Sequence, residues 1–252
     1  MPNIIYTDDR ATLHGGDALT VLPALLPGSV DLVLVDPPYN SGGRTTGERT
    51  GQTARGKYVS GDAQHTLADF GGDNRDQRGY TAWLGLLLTH CLTAAAPGAS
   101  LLVFCDWRQL PATSDALQIG GWLWRGIVPW HKPIHRPRKG GFAASCEYIL
   151  WASHGPVDAA RNPVYLPGLY SSSQPRGAAR KHITQKPDEL LAELVKVCPP
   201  GGTVLDFCAC SGSTGVAAVQ SGRTFVGVEL SPHYQQVAAE RLREVRMSDS
   251  AS

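Results

Sequence analysis

Aspartate followed by two prolines and a tyrosine, Asp36-Pro37-Pro38-Tyr39, is a run in which each residue type has a chemical use. The prolines fix the backbone and remove amide donors, so that turn carbonyls and the Asp36 carboxylate project as acceptors. Acceptors clustered in this way suit a substrate amine, and the Tyr39 ring offers a face on which a planar base could stack. The same residues, with Asn40 after them, would also serve simply to end a strand. A second group lies between Asp206 and Glu229. Asp206 closes a short apolar run, Cys208-Ala209-Cys210-Ser211-Gly212 is a turn of small residues, and Glu229 ends a second apolar run. Backbone can approach a ligand at such a turn while the acid on the next strand takes ribose hydroxyls, as for a nucleoside cofactor. Gly212 is the turn's one glycine, whereas a pyrophosphate cradle uses several, so a cofactor without phosphates fits better. An ordinary strand, turn and helix of an α/β core has the same outline. The third group, His182-Ile183-Thr184-Gln185-Lys186-Pro187, leads into a helix whose start would hold a carboxylate or would only be capped by these side chains.

These groups need elements to position them. The apolar run Val30–Val35, cut off by Pro37 and Pro38, predicts a strand buried on both faces with Asp36 at its carboxyl end. A helix is predicted over 80–96, closed by Pro97-Gly98, then a strand at 101–105, a helix at 107–119 and a strand at 122–130. A strand at 147–152 precedes an irregular stretch, 154–181. Pro187 opens a helix with Asp188 and Glu189 in its first turn and Leu190, Leu191, Leu194 and Val195 on one face. Strands at 203–206 and 224–228 flank a helix at 212–220, and a last helix starts at Ser231-Pro232. Strands alternating with helices predict an α/β fold with a mostly parallel, doubly wound sheet. Residues 41–79 lack periodicity and read as a long flexible loop, of the kind that serves as a lid. No internal repeat or domain boundary is evident.

The 252 residues suffice for a full core, and 18% charged residues with 42% apolar ones exclude a disordered tail. No apolar run reaches the roughly 18 residues of a membrane span, and the first ten residues lack a basic start before an apolar stretch, so a cytoplasmic protein is expected. The six cysteines lack a secreted framework's spacing and are expected to be free thiols; no metal site is expected at Cys208 and Cys210. Charge is uneven. Between 132 and 181, Lys132, Arg136, Arg138, Lys139, Arg161, Arg176, Arg180 and Lys181 face only Glu147 and Asp158. A basic segment on an otherwise mildly acidic chain suggests an anionic partner such as nucleic acid, or a solvated loop.

Taken in order, the D-P-P-Y tetrapeptide, the Q-K-P segment and the small-residue turn resemble the S-adenosylmethionine-dependent DNA amino-methyltransferases. The resemblance is to the permuted (beta) class, whose catalytic motif precedes the cofactor motif. Gly16-Asp17-Ala18, Gly227-Val228-Glu229-Leu230 and Arg241-Leu242 also look like that family's. It implies a Rossmann-like methyltransferase fold over 1–252, with 132–181 as a target-recognition insert. It implies Asp36, Pro37, Pro38 and Tyr39 as catalytic residues acting on a base turned out of double-stranded DNA. Asp17 would hold the cofactor adenine and Glu229 the ribose. Asp206, Ser211 and Gly212 would take the methionine end together with Gln185 and Lys186, beside Cys208 and Cys210. Lys132, Arg136, Arg138, Lys139, Arg176, Arg180 and Lys181 would contact nucleic acid. One departure stands out: Cys210 replaces the first glycine of the family's turn, where a Cβ restricts the backbone. Aspartate in the first catalytic position goes more often with adenine, serine with cytosine. Related enzymes often pair as homodimers, and the resemblance leaves open a cognate restriction enzyme and a bacterial or phage host. RNA adenine methylation, and a non-catalytic nucleic-acid-binding module with a degenerate cofactor site, are the alternative readings.

Overall fold

A computed structural model describes residues 3–39, 75–135, 139–174 and 185–249. Most of the predicted loop at 41–79 lies outside the described residues, as do Asn40, Arg136, Arg138, Arg176, Arg180 and Lys181.

The described strands are β1 (Asn3–Thr7), β2 (Ala11–Gly15), β3 (Val30–Val35), β4 (Ala95–Cys105), β5 (Leu123–His131), β6 (Cys146–Ser153), β7 (Tyr170–Ser171), β8 (Thr203–Asp206) and β9 (Thr224–Glu229). They form one sheet in the order β1-β2-β9-β8-β3-β4-β6-β5-β7. From β2 to β4 every neighbour is parallel; β1–β2, β4–β6 and β6–β5 are antiparallel. The helices are α1 (Ala18–Val21), α2 (Gln77–Ala94), α3 (Leu110–Ile119), α4 (Asp188–Leu194), α5 (Ser213–Gln220) and α6 (Pro232–Asp249). α2 packs with α1 and α3, while α5 packs with α4 and α6. All six residues of β3 are buried, as a strand covered on both faces requires.

This winding positions the site. The chain proceeds outward from β8 to β9 on one side and from β3 to β4 on the other, so the strand order reverses between β8 and β3. Ligands of open α/β sheets bind at the carboxyl ends of strands at such a reversal. Here the carboxyl ends of β9, β8, β3 and β4 carry Glu229, Asp206, Asp36 and Asp106, and Asp17 follows β2. At the antiparallel end, Trp130 of β5 stands opposite Glu147 of β6, and Cys105 of β4 opposite Tyr148. Both therefore reach the same edge.

Several boundaries differ from the sequence expectations. Helix α2 starts at Gln77, inside the predicted loop, because the Asp76 side chain caps it by accepting from Gly79 N at 2.7 Å. It ends at Ala94, and Ala95 and Ala96 belong to β4, which runs on through Pro97-Gly98. Pairing with β3 overrides that stop signal, with a register shift between Val30 and Leu32 to absorb it. Helix α3 begins at Leu110, not 107, because Asp106 takes the amides of Arg108 and Gln109 into a turn first. The stretch predicted as irregular contributes β7, where Trp130 Nε1 donates to Ser172 O and Oγ at 3.1 and 2.8 Å. Strands β1 and β2 carried no prediction; β2 is held to β9 by the pairing of Gly15 with Glu229.

Candidate active site

Asp36 and Asp206 open onto one cleft, lined also by Gln185, Lys186, Phe104 and the turn Cys208 to Ser211. Asp206 is 3% exposed. Burial pushes its carboxyl up to about 7, against the Thr214 and Cys208 hydrogen bonds and with help from the Asp36 and Glu229 charges. Glu229 sits one strand over, its two oxygens accepting from Cys210 N at 2.8 Å and Ser231 N at 2.7 Å. Burial, the largest influence, raises its carboxyl above the usual range against these amides. A carboxylate has about four acceptor sites, so hydroxyl groups can still donate to it.

The turn between them needs left-handed backbone at two places. Gly212 has φ 77° and Cys210, alone among described non-glycine residues, is also positive at 47°. A Cβ at Gly212 would lie 3.0 Å from the Ala238 Cβ on α6, so side-chain space is closed there. Cys210 accepts a cost of about 1–2 kcal/mol for its conformation. Arg241 of α6 braces the turn, donating to Ser211 O at 2.8 Å and Ser213 Oγ at 2.8 Å.

The other half of the cleft is a chain of charges. Lys186, 4% exposed, donates to Asp36 Oδ2 at 2.7 Å and lies 3.4 Å from both Glu147 Oε2 and the Tyr39 hydroxyl. Glu147 also accepts from Tyr39 at 3.2 Å and Lys132 at 2.8 Å. Burial alone would push the Glu147 carboxyl up, but Lys186 and Lys132 bring it below the usual range; Asp36 and Glu147 likewise outweigh burial and raise the Lys186 ammonium. The rings of Phe104, Tyr39 and Trp130 surround that ammonium at 5.0, 5.6 and 6.0 Å.

The structure thus brings together Asp36, Tyr39, Lys186, Gln185, Asp206, Cys208, Cys210, Ser211, Gly212 and Glu229 along one sheet edge, with Pro37 and Pro38 between Asp36 and Tyr39. Asp17 shares that edge; it is exposed and caps α1 through Leu19 N at 2.9 Å. Of the basic segment, Lys139 is exposed, but Lys132 is paired with Glu147, and Arg161 with Asp31. Sequence reasoning missed Glu147, Phe104 and Trp130. The signal for Glu147 was its charge, one of two acids in a basic segment. A larger cavity, about 440 Å³, shares no lining residue with this cleft, so chemistry rather than size picks out the site.

Comparison with known proteins assigns the chain a class. The profile of the DNA methylase family matches residues 30–240. The chain belongs to this family. As a DNA methylase it modifies the exocyclic amine of adenine, at N6, or of cytosine, at N4. The methylase is 30% identical to the type II methyltransferase M.XycI of Xanthomonas campestris pv. cyanopsidis, an alignment covering 92% of this chain and 88% of the relative. Its fold is similar to that of the cytosine-N4-specific PvuII DNA methyltransferase, with TM-score 0.68 and 17% identity over 98% of this chain and 93% of the other. It is also similar to M1.HpyAVI solved as a complex with SAM, at TM-score 0.64 and 22% identity over 92% and 98% of the two chains.

Proposed function

We propose that this methylase takes its methyl group from S-adenosylmethionine and places it on N6 of adenine in a short duplex site, after turning the nucleotide out of the stack. The observation that carries this reading is the convergence of Asp36 and Asp206, far apart in sequence, on one cleft at the strand-order reversal. The acceptors of the cleft fit the cofactor: the Asp206 carboxylate for a ligand cationic at sulfur and at its amino group, and Glu229 within reach of the same turn for ribose hydroxyls. Asp17, exposed at the end of β2, would take the adenine amine; Asp206, Ser211, Gly212 and Gln185 would hold the methionine end.

S-adenosylmethionine, when bound, supplies an electrophilic methyl carbon. The amine of a base is a weak nucleophile because its lone pair is delocalised into the ring. Asp36 and the Pro37 carbonyl accept its two hydrogens, which favours a pyramidal nitrogen aimed at the donor, and Tyr39 packs against the base. Positioning and electrostatics carry the catalysis, with no covalent enzyme intermediate, and the nitrogen sheds one proton for the methyl gained. Aspartate as the first catalytic residue supports adenine over cytosine.

Within residues 132–181, expected as a target-recognition insert, β6 pairs with β4 and β5 and β7 with β5 in the sheet, so the recognition role within this single methyltransferase domain falls to the connection from β5 to β6. Support comes from Lys139, exposed, and Phe142, 97% exposed, on the connection from β5 to β6 that leaves the sheet beside the cleft. Most protein–DNA hydrogen bonds go to phosphates, the role for Lys139 and the neighbouring Arg136 and Arg138. Likeness to a type II methyltransferase supports a place beside a cognate restriction enzyme.

Labelled-methyl transfer to unmethylated genomic DNA, followed by base-resolved detection, tests the reading. N6-methyladenine in one sequence context is expected, with a loss of at least about 100-fold for Asp36→Ala. Methylated cytosine would overturn the choice of base, preferential transfer to RNA the choice of polymer, and transfer surviving Asp36→Ala the site itself.

A further inference from the structure

Lys186 stands on the acceptor that the reaction needs. Its ammonium sits on Asp36 Oδ2 at 2.7 Å, the carboxylate proposed to accept the substrate amine, and is surrounded by the rings of Phe104, Tyr39 and Trp130. A carboxylate bound to an ammonium is a weakened acceptor for a neutral amine. The ammonium cannot retreat to water, since the side chain is buried and an unpaired buried charge is costly. A second counter-ion is already in place. Glu147 Oε2 lies 3.4 Å from Lys186 Nζ, and Lys132 and Tyr39 hold the glutamate in position. A shift of under about 1 Å would bring Lys186 and Glu147 into the range of a charge-assisted hydrogen bond.

We propose that Glu147 is a positioning residue for methyl transfer: it receives the Lys186 ammonium as the base amine takes over Asp36. The four charges Asp36, Lys186, Glu147 and Lys132 balance before and after the shift, so no buried charge is left alone. Asp36 regains its full accepting strength only when the base is present. The proposal rests on Asp36 being the amine acceptor, and it makes Lys186 an occupant of the base side of the cleft rather than a contact of the cofactor's methionine end.

The test is a double-mutant cycle on the full chain, with labelled S-adenosylmethionine and unmethylated genomic DNA at saturating concentrations. Glu147→Gln keeps the size and the Tyr39 hydrogen bond but removes the counter-charge. It is expected to lower kcat at least about tenfold while the Kd for S-adenosylmethionine, measured by calorimetry, stays within about twofold. Glu147→Asp, which keeps the charge at a greater distance, is expected to fall between wild type and Glu147→Gln. In a Lys186→Met background, where nothing needs to be received, Glu147→Gln is expected to change kcat by less than about twofold. Multiplying effects of the two substitutions, or wild-type kcat in Glu147→Gln, would overturn the proposal. Should Lys186→Met be inactive, the order of wild type, Glu147→Asp and Glu147→Gln decides, and equal losses in both glutamate variants count against it. Activity that survives Asp36→Ala would instead remove the reading beneath, whatever Glu147 does.

Discussion

Asp206 is the acid on the sheet edge whose charge is least secure. With its carboxyl pushed up to about 7 from an ordinary 3.8, the folded protein holds a proton there that the unfolded chain has already lost above about pH 4. Folding stability from this group is therefore present at low pH and lost as pH climbs through about 7. Binding of a cation has the opposite sign, because the ligand favours the ionised form. Affinity for S-adenosylmethionine is expected to tighten by up to about tenfold per pH unit below 7 and to level off above it. Calorimetric titrations at pH 6, 7 and 8 would read this, and Asp206→Asn should flatten the profile. A flat wild-type profile would show that the cofactor's charge does not meet this carboxylate. The cysteines nearby do not confuse the measurement: burial raises both Cys208 and Cys210 well above the usual thiol range.

The turn between β8 and α5 shows how an element can keep its shape against its sequence. Cys210 adopts the left-handed backbone that a glycine would take without strain, because its amide is drawn onto Glu229 and the next residues are braced by Arg241. Cys210→Gly is expected to relieve the strain and raise stability by about 1 kcal/mol, partly offset by the greater entropy of the unfolded chain. Urea denaturation would show a higher midpoint at unchanged slope. A lower midpoint would mean that the thiol's own packing outweighs the backbone cost. Elsewhere, capping and pairing decided where elements begin: Asp76 started α2 early, and β3 drew Ala95 and Ala96 into β4.

For the molecule as a whole, the basic segment is not a uniform surface. Lys132 is committed to Glu147 inside the protein and Arg161, at the surface, to Asp31, which also takes the Thr203 amide at 2.8 Å. Lys139 is exposed. Replacing Arg136, Arg138 and Lys139 with alanine is expected to weaken DNA binding across sequences and to reduce the slope of log affinity against log salt by about 3, near 0.9 per lost phosphate contact. Lys132→Ala should leave that slope unchanged while lowering methyl transfer through Glu147. Filter binding between 50 and 200 mM salt would separate the two, and an equal change in slope for Lys132→Ala would return that residue to the DNA surface.

Local chemistry made the two poles of the site legible. Asp-Pro-Pro-Tyr, the small-residue turn and the apolar runs that end in Asp36, Asp206 and Glu229 depend on neighbours in the chain, and a period of two or 3.6 residues is enough to place an acid at a strand's end. The partners of those acids come from elsewhere. Glu147 reaches Lys186 and Tyr39 because antiparallel β6 and β5 bring residues 130–132 and 146–148 to the edge where β3 ends, and no spacing records that pairing. Whether Lys132 meets a phosphate or a buried carboxylate likewise depends on which strand lies opposite it, a property of the packed sheet and not of the residue.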